Sequence, residues 1–455
     1  MIDLGPDALV DPTTGIITWV RPMAPDPAAP PGLHLWASHT ADVHRLFGWP
    51  ADRYGTGMSF QSATRARGAA IGEAIERYCG NHIAEGLVVA SAADLRAGGR
   101  RTIPLERLAL YSEAQYRDPT FPFVPLSDDL VVAWTAGREL GDGSTRWVPA
   151  SLVWVNYFLP PRDVEPPTNF AVFAGIAAGR SLEEACGAAL EELIERDATM
   201  VWWHSGGDPL GVDLDDRRLA ARLAPPPGSP VEMHYVSIPN RSGVPVIGAL
   251  LHDTVSSYLT FGVAARLDPN EAVAKAAAEA WSLRAYAAGL AETDGMIWQA
   301  ADADLIDGTP LKPHRADRRY ADSYRADFRD VTDLACQAQI YLDPRMHRHA
   351  ERIRRPARRV ALSELARWDG RPADRYRRCL EDVGVDPVVV ELTTPDVAAC
   401  GLHVVRVVAP GLYSNPPAAF PFLGGSRLLD EPRTLGLTAR TLDEHELVLT
   451  PLPHT

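Results

Sequence analysis

Residues Gly175–Arg196 read GIAAGRSLEEACGAALEELIER, a turn followed by a long helix. Ala185, Ala188 and Ala189 fall on one face of that helix, a turn apart. The face runs straight into Glu192 and Glu195, with Arg196 beside them. A helix buried through alanines comes very close to its neighbour. Unpaired carboxylates at the end of such a face are costly to bury, so something must compensate them.

The pattern recurs twice. In GVAARLDPNEAVAKAAAEAWSLR (Gly262–Arg284), Gly262, Ala264, Ala265, Glu271, Ala272, Ala276 and Glu279 match Gly175, Ala177, Ala178, Glu184, Ala185, Ala189 and Glu192 at one constant offset. Earlier, Ala66, Ala69, Ala70, Glu73, Glu76 and Arg77 repeat the spacing of Ala185, Ala188, Ala189, Glu192, Glu195 and Arg196. One ExxER on a helix is an ordinary salt-bridged surface. Three small-faced helices delivering acid at the same height point to a shared site.

The 455 residues are 46% hydrophobic and 23% charged, a globular balance with ample core. A net charge of −14 with no offsetting basic face argues against nucleic acid as a partner. The basic stretch His347–Arg359 reads as a solvated surface. Five scattered cysteines, Cys79, Cys186, Cys336, Cys379 and Cys400, form no CxxC pair and read as small core residues. With no apolar run of membrane-spanning length and no signal peptide, the expectation is a cytoplasmic protein that neither crosses nor enters a membrane.

Along the chain, DPTTGIITWV is a turn and a short strand, followed by a proline-rich link from Pro22 to Pro31. Ser62 is placed to cap a first acidic helix over about Ala63–Gly80. Leu87–Ala93 reads as a strand and turn, and Arg101–Ala109 as a short helix. Leu130–Thr135, Arg146–Pro149 and Leu152–Asn156 read as a strand meander. Residues 205–228 read as a polar segment with a proline-rich exit. Val231–Ser237, Pro245–His252 and Ser257–Gly262 read as strands feeding the third acidic helix. Asp302–Arg359 shows no period and is either a mobile loop or a helical insertion. Asp374–Val383 reads as a helix, Val388–Leu392 and Leu402–Val408 as strands, and Thr393–Cys400 as a helical turn. The resulting class is α/β with pseudo-symmetric halves. The domain reading is an amino-terminal strand segment and link (1–50), a core with the three acidic helices (51–300), a charged insertion (301–360) and a carboxy-terminal part (361–455).

In combination these motifs resemble the YcaO proteins, in particular those of azole-forming peptide biosynthesis. The matching segments are EAIERY (Glu73–Tyr78), GIAAGRSLEEACGAALEELIERDA (Gly175–Ala198) and DPNEAVAKAAAEA (Asp268–Ala280). TTPDVAACGLHVVRVVAPGL (Thr393–Leu412), FPFLGGSR (Phe420–Arg427) and the proline-spaced tail agree as well. The resemblance implies a YcaO-like fold of strand–strand–helix repeats, with antiparallel and mixed sheets packed with helices. It also implies an ATP site in which carboxylates hold Mg²⁺, and magnesium's preference for hard oxygen ligands suits such a site. No GxxxxGK[ST] loop is present. Carried onto this chain, the metal ligands are Glu73, Glu76, Glu192 and Glu195. Arg196 and Arg284 contact phosphate, with Ser59, Ser62, Arg77 and Glu279 also on the nucleotide side. The tail places Pro451, Pro453 and the Thr455 carboxylate at the reaction centre. His454 in that tail reads as solvated.

The resemblance implies a cyclodehydratase: ATP activates a backbone amide of a ribosomally made precursor peptide after Cys, Ser or Thr attacks it, giving thiazoline or oxazoline. Two other readings stay open. External sulfide as nucleophile gives a thioamide, and a degenerate chain serves only as a scaffold or peptide-binding subunit. The chain departs from the family pattern at Ala174, where asparagine is usual, at Met58 in the turn before the first helix, and at Ser282 after the third. Standalone members imply a leader-binding partner (E1-like or ocin-ThiF-like), and family analogy implies a possible homodimer.

Overall fold

The computed structural model describes residues 5–44, 52–159, 165–303 and 305–454. Three long helices organise it: α1 (Ala63–Asn81), α2 (Leu182–Ser205) and α3 (Pro269–Ala291). Each starts from a side-chain cap. Ser62 Oγ accepts the Arg65 N–H, Ser181 Oγ the Glu184 N–H, and Asp268 the Asn270 N–H. α2 ends at Gly206, whose φ of 70° is the left-handed stop that glycine supplies without strain.

The strands are β1 (Ile17–Pro22), β2 (His34–Thr40), β3 (Tyr54–Ser59), β4 (Val88–Ala90), β5 (Val132–Glu139), β6 (Thr145–Pro149), β7 (Ile176–Gly179), β8 (Leu210–Asp213), β9 (Val231–Ser237), β10 (Val246–Asp253), β11 (Tyr258–Ala265), β12 (Arg358–Ala361), β13 (Val388–Glu391) and β14 (His403–Val408). They form three sheets, ordered β1-β2-β3, β4-β5-β13-β14-β7 with β6 beside β5, and β11-β10-β9-β8-β12. Pairing between these strands is antiparallel except for β8 with β12. This is the mixed α/β architecture that the sequence leads to. β1 pairs with β2 and β2 with β3, so these strands before residue 50 belong to the sheet under α1.

Each acidic helix lies on a strand at the edge of its sheet: α1 on β3, α2 on β7 and α3 on β11. The alanine faces and facing glycines allow this. A Cβ at Gly57 would stand 2.1 Å from Ala66 O, and one at Gly262 would stand 2.2 Å from Ala276 O. Main chain meets main chain at these points, so no side chain fits between them.

Several readings of the sequence change. Gly175–Gly179 is not a turn: Ile176–Gly179 is β7, whose near-continuous apolar run pairs with β14. Leu152–Asn156 is not a strand. Ala150–Leu152 is a buried helical turn, and the Asn156 N–H is taken by Asn81 Oδ1 at 3.1 Å. Residues 205–228 contain β8 and a short helix, Arg217–Leu223, capped by Asp216.

Asp302–Arg359 packs against the core through Tyr320, Tyr324, Ile340, Tyr341 and Met346, all buried. Its helical pieces are short, Leu334–Ile340, Pro344–Ala350 and Glu351–Arg354, which leaves little helical period to read. The basic stretch is not wholly solvated either. Arg352 stacks over Trp202 and Trp203 at 4.8 and 4.6 Å and donates to the Trp203 and Gly207 carbonyls, closing the end of α2. All five cysteines are buried and none is in a disulfide.

Candidate active site: carboxylates at three converging sheet edges

An edge strand presents unpaired N–H groups that need partners. At β3, β7 and β11 those partners are the glutamates of the acidic helices. Glu73 Oε2 accepts the Thr56 N–H at 2.7 Å and the Thr56 hydroxyl at 3.1 Å. Glu192 Oε2 accepts the Gly175 N–H at 2.9 Å, and Glu279 Oε2 accepts the Val263 N–H at 3.0 Å. Each of these bonds joins a helix to its own strand unit.

The second acid of each ExxE pair reaches the next unit. Glu76 on α1 accepts the Ala178 N–H of β7 at 2.7 Å, and Glu195 on α2 accepts the Ala265 N–H of β11 at 3.3 Å. Ala178 and Ala265 are equivalent positions of the repeat. The hand-over stops at α3, where the equivalent residue is Ser282.

Together these bonds draw five carboxylates from three helices into one region. The electrostatics show the same convergence. Burial pushes the Glu76 carboxyl up to about 8, and the charges of Glu192 and Glu73 add to that rise. Burial raises Glu195 to about 8 as well, with Glu279 and Glu192 adding repulsion and Arg196 opposing it. Burial also raises Glu192. Glu76, Glu192 and Glu195 hold protons above their ordinary range because burial penalises their charged forms and the nearby arginines offset this only in part, whereas Glu279 is shifted down.

Arg196 Nη1 approaches Glu195 Oε1 at 3.4 Å. Arg77 binds Glu73 Oε1 at 2.7 Å and Asp52 at 3.0 Å. On the far side of Glu192 lies Arg406, a completely buried side chain on β14. Its guanidinium donates to the carbonyls of Val153, Val172, Phe173 and Ala174, holding the loop that leads to Gly175. Burial lowers its pKa to about 9.

The carboxy-terminal tail docks on the same edge. Pro453 O accepts the Phe261 N–H of β11 at 2.8 Å, two residues before Val263. Pro451 O accepts the Tyr341 hydroxyl at 2.7 Å, and Thr450 O accepts the Trp203 indole N–H at 2.7 Å. His454 is buried, not solvated, contrary to the reading from sequence. Its Nδ1 bonds the Phe261 carbonyl at 2.9 Å, so Nδ1 carries the proton and Nε2 accepts from Arg196. Gln337 Nε2 donates to His454 O at 2.9 Å. Burial and the adjacent Arg196 depress the imidazole to about 4. Thr455 lies outside the described residues.

Three residues assigned to the nucleotide from sequence have their partners away from the five carboxylates. Arg284 is engaged by Asp253 at 2.6 Å and by Asp26. Asp253 lies at the β10–β11 hairpin end, five residues along β11 from Val263, or about 17 Å. Ser59 Oγ accepts the Gln61 N–H at 2.9 Å and Ser62 caps α1, about 16 Å before Glu73. Both serines are occupied in starting the helix. The sequence reading also missed the pair that locks the carboxy-terminal motif onto α2. Arg427 binds Asp197 bidentately at 2.7 and 2.8 Å, and the Tyr413 N–H donates to Asp197 at 2.8 Å. The signal was the aspartate directly after GluArg in ERDA. Arg406 carried no signal, because a lone arginine in a valine-rich strand has no pattern.

Among the described residues no three His, Cys, Asp or Glu side chains are already gathered around one point as a formed metal centre would require. Each acid is turned onto a main-chain amide. The donor set nonetheless suits a hard divalent cation: carboxylate oxygens only, half-buried to buried, with negative charge in excess of the arginines beside it.

A family model described as YcaO cyclodehydratase, ATP- and Mg²⁺-binding, matches residues 54–413. The chain belongs to the YcaO family. An uncharacterized protein of Methanothermobacter thermautotrophicus is 28% identical over 312 residues, 65% of this chain and 70% of that protein. Among solved structures, a heterocyclase in complex with substrate and cofactor superposes with a TM-score of 0.71 at 20% identity, over 99% of this chain and 58% of the other. The heterocyclase TruD gives 0.57 at 22% identity, over 86% of this chain and 51% of the other. YcaO from Methanopyrus kandleri, bound with AMPPCP and Mg²⁺, gives 0.56 at 18% identity over 87% and 86%. This YcaO chain thus spans between half and three-fifths of the two heterocyclases. No described helix is long and apolar enough to cross a membrane.

Proposed function

We propose that this YcaO protein is an ATP- and Mg²⁺-dependent cyclodehydratase that forms thiazolines or oxazolines from Cys, Ser or Thr of a ribosomal precursor peptide. The observation that carries the reading is the meeting of five carboxylates and the carboxy-terminal tail at three sheet edges, in a family described as binding ATP and Mg²⁺. Glu73, Glu76, Glu192 and Glu195 would hold Mg²⁺, with Glu279 supporting them. ATP supplies the phosphoryl group that makes the amide oxygen a leaving group. Arg196, beside Glu195, serves the phosphates, with Arg77 bound to Glu73. The neutral His454 directs the Arg196 guanidinium and does not itself move a proton. The tail covers the edge of β11, excludes water there and brings Pro451, Pro453 and Thr455 to the reacting amide. The chemistry needs a base for the attacking side chain, a role this reading gives to Thr455.

A leader-binding partner protein completes the system in this reading. The heterocyclase neighbour named above is in complex with substrate, and another YcaO-like neighbour is the E. coli microcin synthetase McbBCD complex. Purified protein, partner and precursor peptide are incubated with ATP and Mg²⁺, and the peptide is weighed. Loss of one water per ring, dependent on ATP, is expected. Exchange of oxygen for sulfur assigns the thioamide chemistry instead. An unchanged peptide together with no Mg²⁺-dependent ATP binding by calorimetry overturns the reading.

A further inference from the structure

A second cavity lies at the other end of α3. It has a volume of about 390 Å³ and is lined by Ser256, Tyr258, Glu292, Thr293, His314 and Arg318, among others. That volume falls in the range of small-molecule sites. From Tyr258 to Val263 the strand runs five residues, about 17 Å, so this cavity is distinct from the carboxylate site.

Its wall is built at a cost in backbone strain. Among the described residues three non-glycine positions have positive φ, and two of them stand here: Ser257 at 54° and Arg318 at 51°. Neither is glycine, so each pays for a conformation that side chains disfavour, and strain of this kind gathers at ligand sites.

The strained turn delivers a cation. Arg318 donates to the Ser256 carbonyl and lies 5.7 Å over the Tyr258 ring. It has no carboxylate partner among the described residues, whereas its neighbours do. Arg315 is bound to Asp317, Arg319 to Asp322, and Arg284 on the same Tyr258 ring to Asp253 and Asp26. His314 is held by the Ala291 carbonyl at 2.9 Å, with the Thr293 hydroxyl at 3.4 Å. The cavity therefore offers one guanidinium with no carboxylate partner among the described residues, an aromatic wall and a hydroxyl. Glu292 on the rim disfavours a doubly charged phosphate and leaves a singly charged oxyanion as the better match.

We infer that this cavity binds a carboxylate, anchored on Arg318 and packed against Tyr258. The carboxylate comes either from a free small organic acid or from an acidic residue of a peptide. The inference stands on the cavity itself and does not depend on the cyclisation chemistry.

The test uses the full-length protein without nucleotide. N-acetylglutamic acid α-amide, N-acetylglutamine α-amide and the peptide acetyl-Gly-Gly-Glu-Gly-Gly-amide are titrated by ligand-observed NMR. The acid is expected to bind about ten-fold tighter than the amide, the effect of a charge-assisted contact. Arg318→Asn removes the charge while keeping a residue that tolerates the left-handed backbone, and it should abolish the preference. Arg318→Lys should retain part of it. Tighter binding of the peptide than of N-acetylglutamic acid α-amide assigns the carboxylate to a peptide, and the reverse assigns it to a small acid. Equal binding of acid and amide by the wild-type protein, no binding of either, or a preference that survives in Arg318→Asn overturns the inference. The wild-type comparison decides even if a variant fails to fold.

Discussion

Glu76, on the first acidic helix, accepts the main-chain N–H of Ala178, on the strand before the second, at 2.7 Å. Glu195 repeats the contact with Ala265 one unit later. A side chain that covers the neighbour's sheet edge ties together segments about a hundred residues apart and sets the positions of the acids between them.

That arrangement is charged against itself, which gives a pH dependence with a definite sign. Glu76 and Glu195 have folded-state pKa values near 8, above the ordinary 4.5. Between those limits the folded protein binds more protons than the unfolded chain, so stability of the metal-free protein falls as pH rises from about 4.5 to 8. Glu76→Gln should raise metal-free stability at pH 8 by about 2 kcal/mol while abolishing Mg²⁺-dependent nucleotide binding. Thermal melts across pH with and without Mg²⁺ check this. A flat metal-free profile would count against the cluster.

His454 separates a positioning role from a proton-transfer role. With its pKa near 4 it stays neutral from pH 5 upward. Removing it leaves a buried Arg196 donor and the Phe261 carbonyl unpaired, at about 1–3 kcal/mol each. His454→Ala should therefore lower kcat/KM by about two orders of magnitude with the shape of the pH–rate profile unchanged above pH 5. Disappearance of an inflection between pH 6 and 7 in the variant would show instead that the imidazole shuttles a proton.

Glycine substitutions test the helix–strand contacts. In Gly262→Ala the new methyl meets Ala276 O and Ala280 N, both main chain, and neither can turn aside. A loss of about 3 kcal/mol or more is expected in urea unfolding. Gly68 lies within α1 with nothing near its missing Cβ. Gly68→Ala should stabilise the protein by about 0.5–1 kcal/mol through helix propensity alone. Equal effects at the two sites would disprove the close packing.

Arg406 offers a fourth check. It is fully buried, and its hydrogen bonds go to main-chain carbonyls. Arg406→Met fills the volume but frees those carbonyls and removes the charge behind Glu192. We expect a stability loss of about 3 kcal/mol and an acid-side shift of metal binding toward higher pH, measured by calorimetry at several pH values. Arg406→Lys, which keeps the charge but not the fork, should recover the pH dependence and not the stability.

The three acidic helices were legible because alanine spacing and carboxylates share one period, and because the spacing recurs. β9, β10 and β11 were legible from alternation. What escaped is what has no period. β7 is a short apolar run preceded by glycine, Arg406 is a single charge among valines, and the segment from Asp302 to Arg359 is ordered through scattered tyrosines and arginines. His454 was misread because a histidine near a chain end is usually wet. Here Gln337 and Tyr341, over a hundred residues upstream, fasten the tail that carries it. Arg284, five residues beyond Glu279 along α3, is engaged by Asp253 of the hairpin and by Asp26 of the link between β1 and β2.

Along β11 the outward N–H groups of Phe261, Val263 and Ala265 go in turn to the tail, to Glu279 and to Glu195. Three different parts of the chain thus take their positions from one ruler, at steps of two residues. A protease that trimmed the last few residues would leave the acids in place and strip the strand of its first clasp. The loss would reach the catalytic centre as slackness in a shared edge, without any acidic side chain having been touched.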